Sequence, residues 1–160
     1  MSVSNKTQYK PKNTGSDSVL SYFQEHQFNP VLINVEDPVV WEDHFQKRQN
    51  LYERHLGLPL SLLKGNSVIE FGCNSGENSL VLAAVGANLT LVEPNEQVIP
   101  RLKELFARFG LLDRVAELSQ DDIEAFSAST LYDVVLAEGF LCQVPERDRM
   151  LTKLCDLLAP

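Results

Sequence analysis

Short apolar runs alternate along this chain with segments whose apolar residues recur every three or four positions. The apolar runs, each of which predicts a buried strand, are residues 67–71, 89–92, 115–118 and 132–137. The segments with helical spacing are residues 77–85, 95–109 and 146–158. Near-continuous apolar strands between amphipathic helices are typical of a parallel sheet that is covered on both faces. The pattern therefore predicts an α/β fold, a doubly wound parallel sheet with its strand carboxyl ends along one edge.

The part of the chain before this alternation is organised differently. Residues 1–17 are polar and without periodicity, which predicts a flexible tail. Residues 18–65 predict an N-terminal helical cap segment, and residues 66–160 hold the sheet. Within the cap segment we expect a short helix near residues 19–27, an extended segment at 31–35, a helix over 38–56 and a short turn at 60–63.

One stretch, residues 68–78, combines a strand end, a tight turn and a helix start. Gly72 and Gly76 follow the apolar run and lead into the helix. Glycine allows positive φ and close approach of a ligand, and a helix start offers unpaired N–H groups to that ligand. Asn74 between the two glycines is among the residues that tolerate positive φ. The stretch predicts a site for a nucleotide-like cofactor.

Acidic residues stand at the ends of all four predicted strands. They are Glu70, Glu93, the pair Asp121 and Asp122, and Glu138. Because ligands of open α/β sheets bind beyond the strand carboxyl ends, these acids are expected to converge on one rim. Glu93 suits ribose hydroxyls in any such fold, and so does not identify the cofactor. Glu70 stands where it would repel a pyrophosphate, which favours a cationic cofactor over a nicotinamide dinucleotide and its G-x-G-x-x-G turn.

Composition limits the kinds of partner that we expect for this chain. The 160 residues carry a formal net charge of −8, which disfavours nucleic acid or an anionic membrane as the main partner. The three cysteines show no metal-binding spacing, so we expect no metal site and reduced thiols in a cytoplasmic protein. No apolar run approaches the ~20 residues that a membrane span requires.

The ordered set of segments resembles the class I S-adenosylmethionine-dependent methyltransferases, which have a Rossmann-like fold. The matching motifs are residues 68–76, 91–95, 120–122 and 132–138. The resemblance spans roughly residues 67–160 and implies that S-adenosylmethionine is the cofactor. Asn74 is a departure, because the family usually has glycine there.

The resemblance also implies roles for individual residues. The implied cofactor-binding residues are Glu70, Gly72, Cys73, Asn74, Gly76, Glu93, Pro94, Asp121, Asp122 and Glu138. The glycine turn would pass beneath the methionine part and the ribose, and Glu70 would hold the amino end of the cofactor, directly or through water. Glu93 would bind the ribose hydroxyls, and Asp121 or Asp122 would accept from the adenine amino group. Glu138 would lie near the transferred methyl group.

Several of these residues also have a structural interpretation. Asp121 and Asp122 can cap the helical turn that follows them, and Cys73 is expected to be structural. The apolar stripe of residues 41–52 is mainly a packing face, although Arg48 and His44 on or beside it are candidates for the substrate side. Arg48 is expected to pair with the cofactor carboxylate or with an acidic acceptor. No general base is identifiable.

The number of predicted strands affects the functional hypothesis. The family's sheet continues beyond a fourth strand, whereas this chain ends after the fourth strand and its helix. We expect a truncated fold, a fragment of a longer enzyme, or a fourth-strand edge covered by self-association. The leading hypothesis is a methyltransferase acting on a small-molecule acceptor. A non-catalytic cofactor-binding or interaction module is the alternative, and an NAD-binding domain is the least favoured.

Overall fold

A computed structural model describes residues 15–26, 33–139, 141 and 146–160 of the chain. Its core is a four-stranded sheet, made of β1 (Ser67–Phe71), β2 (Asn88–Val92), β3 (Val115–Ser119) and β4 (Val134–Leu136). The strand order is β3-β2-β1-β4, and every pair is parallel. Glu70 on the central strand β1 is paired with Leu91 on one side and Leu136 on the other. The predicted parallel sheet is confirmed.

Helices cover both faces of this sheet. They are α1 (Gly15–His26), α2 (Pro38–Asn50), α3 (Glu77–Ala84), α4 (Ile99–Arg108) and α5 (Arg147–Cys155). A π-helical turn, Leu51–His55, continues α2, and short 3-10 turns occupy Leu60–Leu63 and Leu112–Arg114. No helix in the described ranges is long and apolar enough to cross a membrane.

Alternate side chains of the strands point into two separate apolar clusters. One cluster lies under α3 and α4 and includes Val68 and Leu91 of the sheet. The other lies under α5 and includes Ile69 and Phe71, with Met150 fully buried. The sheet is therefore the middle of three layers, as the doubly wound prediction requires.

Most element boundaries agree with the sequence prediction, and the differences have local causes. Helix α4 begins at Ile99 rather than at residue 95, because Asn95 accepts hydrogen bonds from the N–H groups of Gln97 and Val98 (both 3.1 Å) in a preceding turn. The helix predicted over residues 38–56 ends at Asn50 and continues as the π-helical turn.

The N-terminal predictions are tested only in part. The predicted tail lies outside the described residues up to residue 14, and its remaining three residues start α1 instead. Residues 31 and 32 of the predicted extended segment also lie outside them. Of the described remainder, residues 33 and 34 have no regular structure, and residue 35 begins a turn. In this turn Asp37 donates its N–H to the Asn34 carbonyl (3.1 Å), and its side chain caps α2.

The fourth strand is shorter than predicted, and its start is fixed by contacts on both sides. On one side Asp133 accepts from the backbone N–H and the hydroxyl of Ser67 (2.8 and 2.7 Å). On the other side Tyr132 and Leu158 form a single parallel bridge, with Tyr132 donating its N–H to the Leu157 carbonyl (2.9 Å). These contacts align β4 with β1 and so determine where Glu138 emerges.

Candidate cofactor site

The turn between β1 and α3 has the backbone that its sequence predicts. Gly72, Asn74 and Gly76 have positive φ angles of 73°, 46° and 87°. The turn is closed by a hydrogen bond from the Gly76 N–H to the Cys73 carbonyl (3.0 Å), and the Gly72 N–H bonds to Val92 at the end of β2 (2.8 Å). Asn74 thus occupies a left-handed conformation without being glycine, which its type allows.

The two glycines serve different purposes. Gly76 is buried, and a Cβ there would lie 2.3 Å from Cδ2 of Leu102. Its lack of a side chain therefore lets the start of α3 pack against α4. Gly72 is exposed at the rim of the sheet, so close approach of a ligand is possible there rather than at Gly76.

Glu93 ties the end of β2 to this turn. Its Oε2 accepts from the Asn74 N–H (2.7 Å) and its Oε1 from the Asn95 N–H (2.9 Å). Burial raises the pKa of the Glu93 carboxyl, although these two backbone donors oppose the rise. Pro94, the residue after Glu93, is half-buried. The carboxylate is held rigidly, and each oxygen keeps acceptor capacity for a further donor.

Glu70 is buried at the same rim, with 4% of its surface exposed. Its Oε2 has no hydrogen-bond partner among the described residues. Burial raises the pKa of Glu70 to about 7, opposed by the nearby Ser79 hydroxyl and assisted by the negative charge of Glu138; the Ser79 oxygen itself makes no hydrogen bond among the described residues. A buried carboxylate oxygen without a donor costs free energy, so a ligand that brings a donor to Glu70 is favoured.

A third acid, Glu138, is bound by the N-terminal helical segment. Its Oε1 accepts from Nη2 of Arg48 (2.6 Å) and from the Tyr52 hydroxyl (2.6 Å). Arg48 Nη2 also lies 2.9 Å from the Tyr52 oxygen, and the guanidinium carbon stands 5.0 Å from the centre of the Tyr52 ring. Burial opposes ionisation of Glu138, but the bonds from Arg48 and Tyr52 lower its pKa.

His44 lies one helical turn before Arg48, so both side chains occupy one face of α2. Its Nε2 is 3.2 Å from the carbonyl oxygen of Glu77, the first residue of α3. Burial lowers the pKa of His44, which favours the neutral ring. Helix α2 therefore contacts the glycine-turn side of the rim through His44 and the β4 side through Arg48.

The remaining predicted residues lie close to the rim in different environments. Asp121 accepts a short hydrogen bond from the Ser119 hydroxyl and is half-buried. Asp122 Oδ1 accepts from the N–H groups of Glu124 and Ala125 (2.8 and 2.7 Å), which is the capping geometry. Cys73 is buried, and burial raises the pKa of its thiol, which disfavours a reactive thiolate.

Two features of the site were missed from the sequence. Tyr52 is fully buried and bonds to Glu138, although its place in the apolar stripe suggested packing alone. Its position four residues after Arg48 was the available signal. Glu77 is also fully buried and accepts from Arg101 (2.6 Å). Among the described residues no group of His, Cys, Asp and Glu is arranged to hold a metal ion.

The fold is similar to several solved methyltransferases. Magnesium protoporphyrin IX methyltransferase from Synechocystis PCC 6803 with bound SAM is 17% identical, with a TM-score of 0.66, covering 94% of this chain and 74% of that one. The glycopeptide N-methyltransferase MtfA complexed with sinefungin is 19% identical, with a TM-score of 0.58, covering 73% of this chain and 46% of that one. These similarities show the fold.

A protein named for another activity has a similar fold. The cyclase SpnF is 21% identical, with a TM-score of 0.60, covering 72% of this chain and 41% of that one. The chain therefore spans less than half the length of both MtfA and SpnF. A comparison with curated protein sequences finds no match.

The expected cofactor fits both the site and these comparisons. Glu70 offers a buried oxygen without a donor, Gly72 offers exposed backbone, and Glu93 offers a fixed carboxylate. Similar structures contain SAM or sinefungin. The family described as "Methyltransferase domain" matches residues 40–160, which include most of α2, the glycine turn and all four strands. The chain belongs to this methyltransferase-domain family.

Proposed function

We propose that this chain binds S-adenosylmethionine at the rim and transfers its methyl group to a small-molecule acceptor. The observation that carries the proposal is Glu70, a buried acid two residues before the exposed Gly72, whose Oε2 has no hydrogen-bond partner among the described residues. The cofactor's ammonium group brings the donor that Glu70 lacks, and the cofactor has no phosphate for Glu70 to repel. Both properties distinguish it from NAD.

The other residues bind different parts of the cofactor. Glu93 receives the ribose hydroxyls, because its carboxylate is already fixed by two backbone donors on one side. Asp121 accepts from the adenine amino group, since Asp122 is engaged in capping. The turn from Gly72 to Gly76, with Cys73 and Asn74 inside it and Pro94 beside it, supports the ribose and the methionine part.

When bound, the cofactor supplies a methyl group on a positively charged sulfur, which leaves as the neutral thioether while the acceptor's lone pair forms the new bond to carbon. The sulfonium is already a good leaving group, so the chain's own contribution is alignment and exclusion of water. Helix α2 covers the rim through His44 and Arg48 and serves this exclusion.

Calorimetry tests the cofactor assignment. We expect S-adenosylmethionine and S-adenosylhomocysteine to bind the wild-type chain and NAD not to bind. Glu70→Gln is expected to weaken S-adenosylmethionine binding by about tenfold or more, because it removes a charge-assisted hydrogen bond worth about 1.5–3 kcal/mol. Glu117→Gln is the charge-matched control, since Glu117 is exposed on the edge strand β3. Binding of NAD alone would refute the assignment.

A second candidate function is cofactor binding without methyl transfer. It is supported by the similarity to the [4+2]-cyclase SpnF, a protein named for a different reaction on this fold. An assay of S-adenosylhomocysteine formation across small amines, alcohols and phenols separates the two candidates. Turnover with any of these acceptors supports the methyltransferase, whereas tight cofactor binding without turnover favours the second candidate.

A further inference from the structure

The carboxylate of Glu138 is held asymmetrically. Both donors from the N-terminal segment, Arg48 Nη2 and the Tyr52 hydroxyl, bond to Oε1 at 2.6 Å. The described residues provide no hydrogen bond to Oε2. The side chain of Glu138 is 30% exposed, compared with 11% for its ion-pair partner Arg48. One oxygen is therefore fixed by the N-terminal segment, and the described residues leave the other free to accept a further hydrogen bond.

The hydroxyl of Tyr52 is the informative group in this cluster. Tyr52 is fully buried, and its ring packs in the same apolar cluster as Val35 and Leu63. Phenylalanine would fill that space equally well, so packing does not explain the hydroxyl. Its function in the structure is to bond to Glu138 and Arg48.

The position of Glu138 in the sheet relates this cluster to the cofactor site. Leu136 pairs with Glu70 in the register of β4 and β1. Glu138 follows two residues after Leu136, past the end of β4, so it stands beyond Glu70 at the same carboxyl edge. With the amino end of the cofactor at Glu70, as proposed above, Glu138 lies next to the methionine part, which carries the transferred methyl group.

We propose that Arg48 and Tyr52 are positioning residues that fix Oε1 of Glu138 and so present Oε2 to an N–H or O–H group at the methyl-transfer position. The inference rests on the proposed cofactor site and deepens it by naming the acceptor chemistry: an amine or a hydroxyl. Acceptors without a hydrogen-bond donor on the reacting atom gain nothing from this arrangement.

The ionised state of Glu138 selects amines in particular. A neutral amine gains positive charge as its lone pair forms the bond to the methyl carbon, and the bond electrons of the broken C–S bond pass to sulfur. A carboxylate fixed beside the nitrogen stabilises that developing charge. The proton then leaves the methylated nitrogen to water, so Glu138 orients the acceptor and need not act as a base.

Binding of two cofactor analogues tests the inference without a known acceptor. Sinefungin carries a protonated amine where S-adenosylmethionine carries its methyl, whereas S-adenosylhomocysteine has no group there. We expect the wild-type chain to bind sinefungin about tenfold more tightly than S-adenosylhomocysteine, because a charge-assisted hydrogen bond forms to Glu138. Glu138→Gln is expected to abolish this preference.

Variants of Arg48 and Tyr52 distinguish two roles for these residues: orienting the Glu138 carboxylate, or only stabilising the fold. Tyr52→Phe and Arg48→Lys are each expected to reduce the preference at least about threefold, by loss of a hydrogen bond that fixes Oε1. The control is Tyr132→Phe, in the cluster on the opposite face of the sheet, which should leave the preference unchanged. A merely structural role would weaken both analogues equally, because the amine is the only group that reports on Oε2.

Each outcome has a definite meaning. Equal affinities in the wild-type chain, or an unchanged preference in a folded Tyr52→Phe chain, overturn this inference and leave the cofactor site intact. If Tyr52→Phe fails to fold, Arg48→Lys tests the positioning role in its place. The comparison of the wild-type chain with Glu138→Gln needs neither of these variants. Failure of the wild-type chain to bind either analogue overturns the proposed function and this inference together.

Discussion

Replacing Gly76 by alanine perturbs the start of α3 in two ways at once. The residue has a φ of 87°, and its missing Cβ would lie 2.3 Å from Cδ2 of Leu102 and 3.4 Å from Cδ2 of Leu105. Leu102 is fully buried, so its side chain has little room to withdraw. We expect Gly76→Ala to destabilise the fold substantially.

The magnitude follows from these two contributions. A left-handed conformation costs alanine about 1–2 kcal/mol relative to glycine, and forcing an extra methyl into a packed core costs about 1–3 kcal/mol. Together they predict a loss of about 2–5 kcal/mol, a large share of the ~5–15 kcal/mol that stabilises a typical domain.

Gly110→Ala is the matched control, because Gly110 has a φ of 65° and an added Cβ would have no heavy atom within 4 Å. It retains the backbone strain without the collision. Urea unfolding of both variants, followed by circular dichroism, measures the two free energies of unfolding. We expect Gly76→Ala to lose more stability than Gly110→Ala by about 1–3 kcal/mol. Equal losses in the two variants would refute the packing role assigned to Gly76.

Other predictions concern the acids of the rim. Glu93→Ala leaves the Asn74 N–H and a second backbone donor without their acceptor, so we expect a loss of about 2–4 kcal/mol in urea unfolding and weaker S-adenosylhomocysteine binding; unchanged binding would contradict its ribose role. Glu70 has an ordinary pKa of 4.5 and a folded pKa of about 7, so between these values the folded chain holds a proton that the unfolded chain has released. The free energy of unfolding should therefore fall as pH rises, by about 3 kcal/mol at most, and Glu70→Gln should flatten the decline; an equal slope in the variant would contradict this. Asp122→Ala should cost about 1 kcal/mol of stability through loss of its cap and leave calorimetric cofactor affinity unchanged, whereas Asp121→Asn should weaken it; the reverse pattern would exchange their roles.

The sheet and the glycine turn were predictable because their signals are local. Residues 67–71 form β1 with the predicted boundaries, and the positive φ angles fall on the glycines and on Asn74. Runs of apolar residues and turn residues act through their nearest neighbours along the chain. The convergence of Glu70, Glu93 and Glu138 followed from the parallel topology alone.

The contacts of α2 were not predictable in the same way. Tyr52 and Glu138 are 86 residues apart, and His44 bonds to a backbone carbonyl 33 residues away. Such contacts depend on how a helix docks on the sheet. An amphipathic stripe shows which face of the helix is buried, but not which residues of the sheet it contacts. The stripe indicated which side of α2 is buried, but the acid expected for Arg48 was one of a ligand, whereas Arg48 pairs with Glu138 of the chain itself.

The ion pair between Arg48 and Glu138 has a consequence for the order of folding. It closes a loop of 90 residues, whereas the bond between Asn74 and Glu93 closes one of only 19. Loop-closure entropy makes the longer contact about 1.4 kcal/mol more costly to form. We therefore expect β1 and β2 to gain protection before β4 in pulse-labelling hydrogen exchange during refolding. The part of the rim around Glu93 would assemble early, and Glu138 would reach its place only in the last stage of folding.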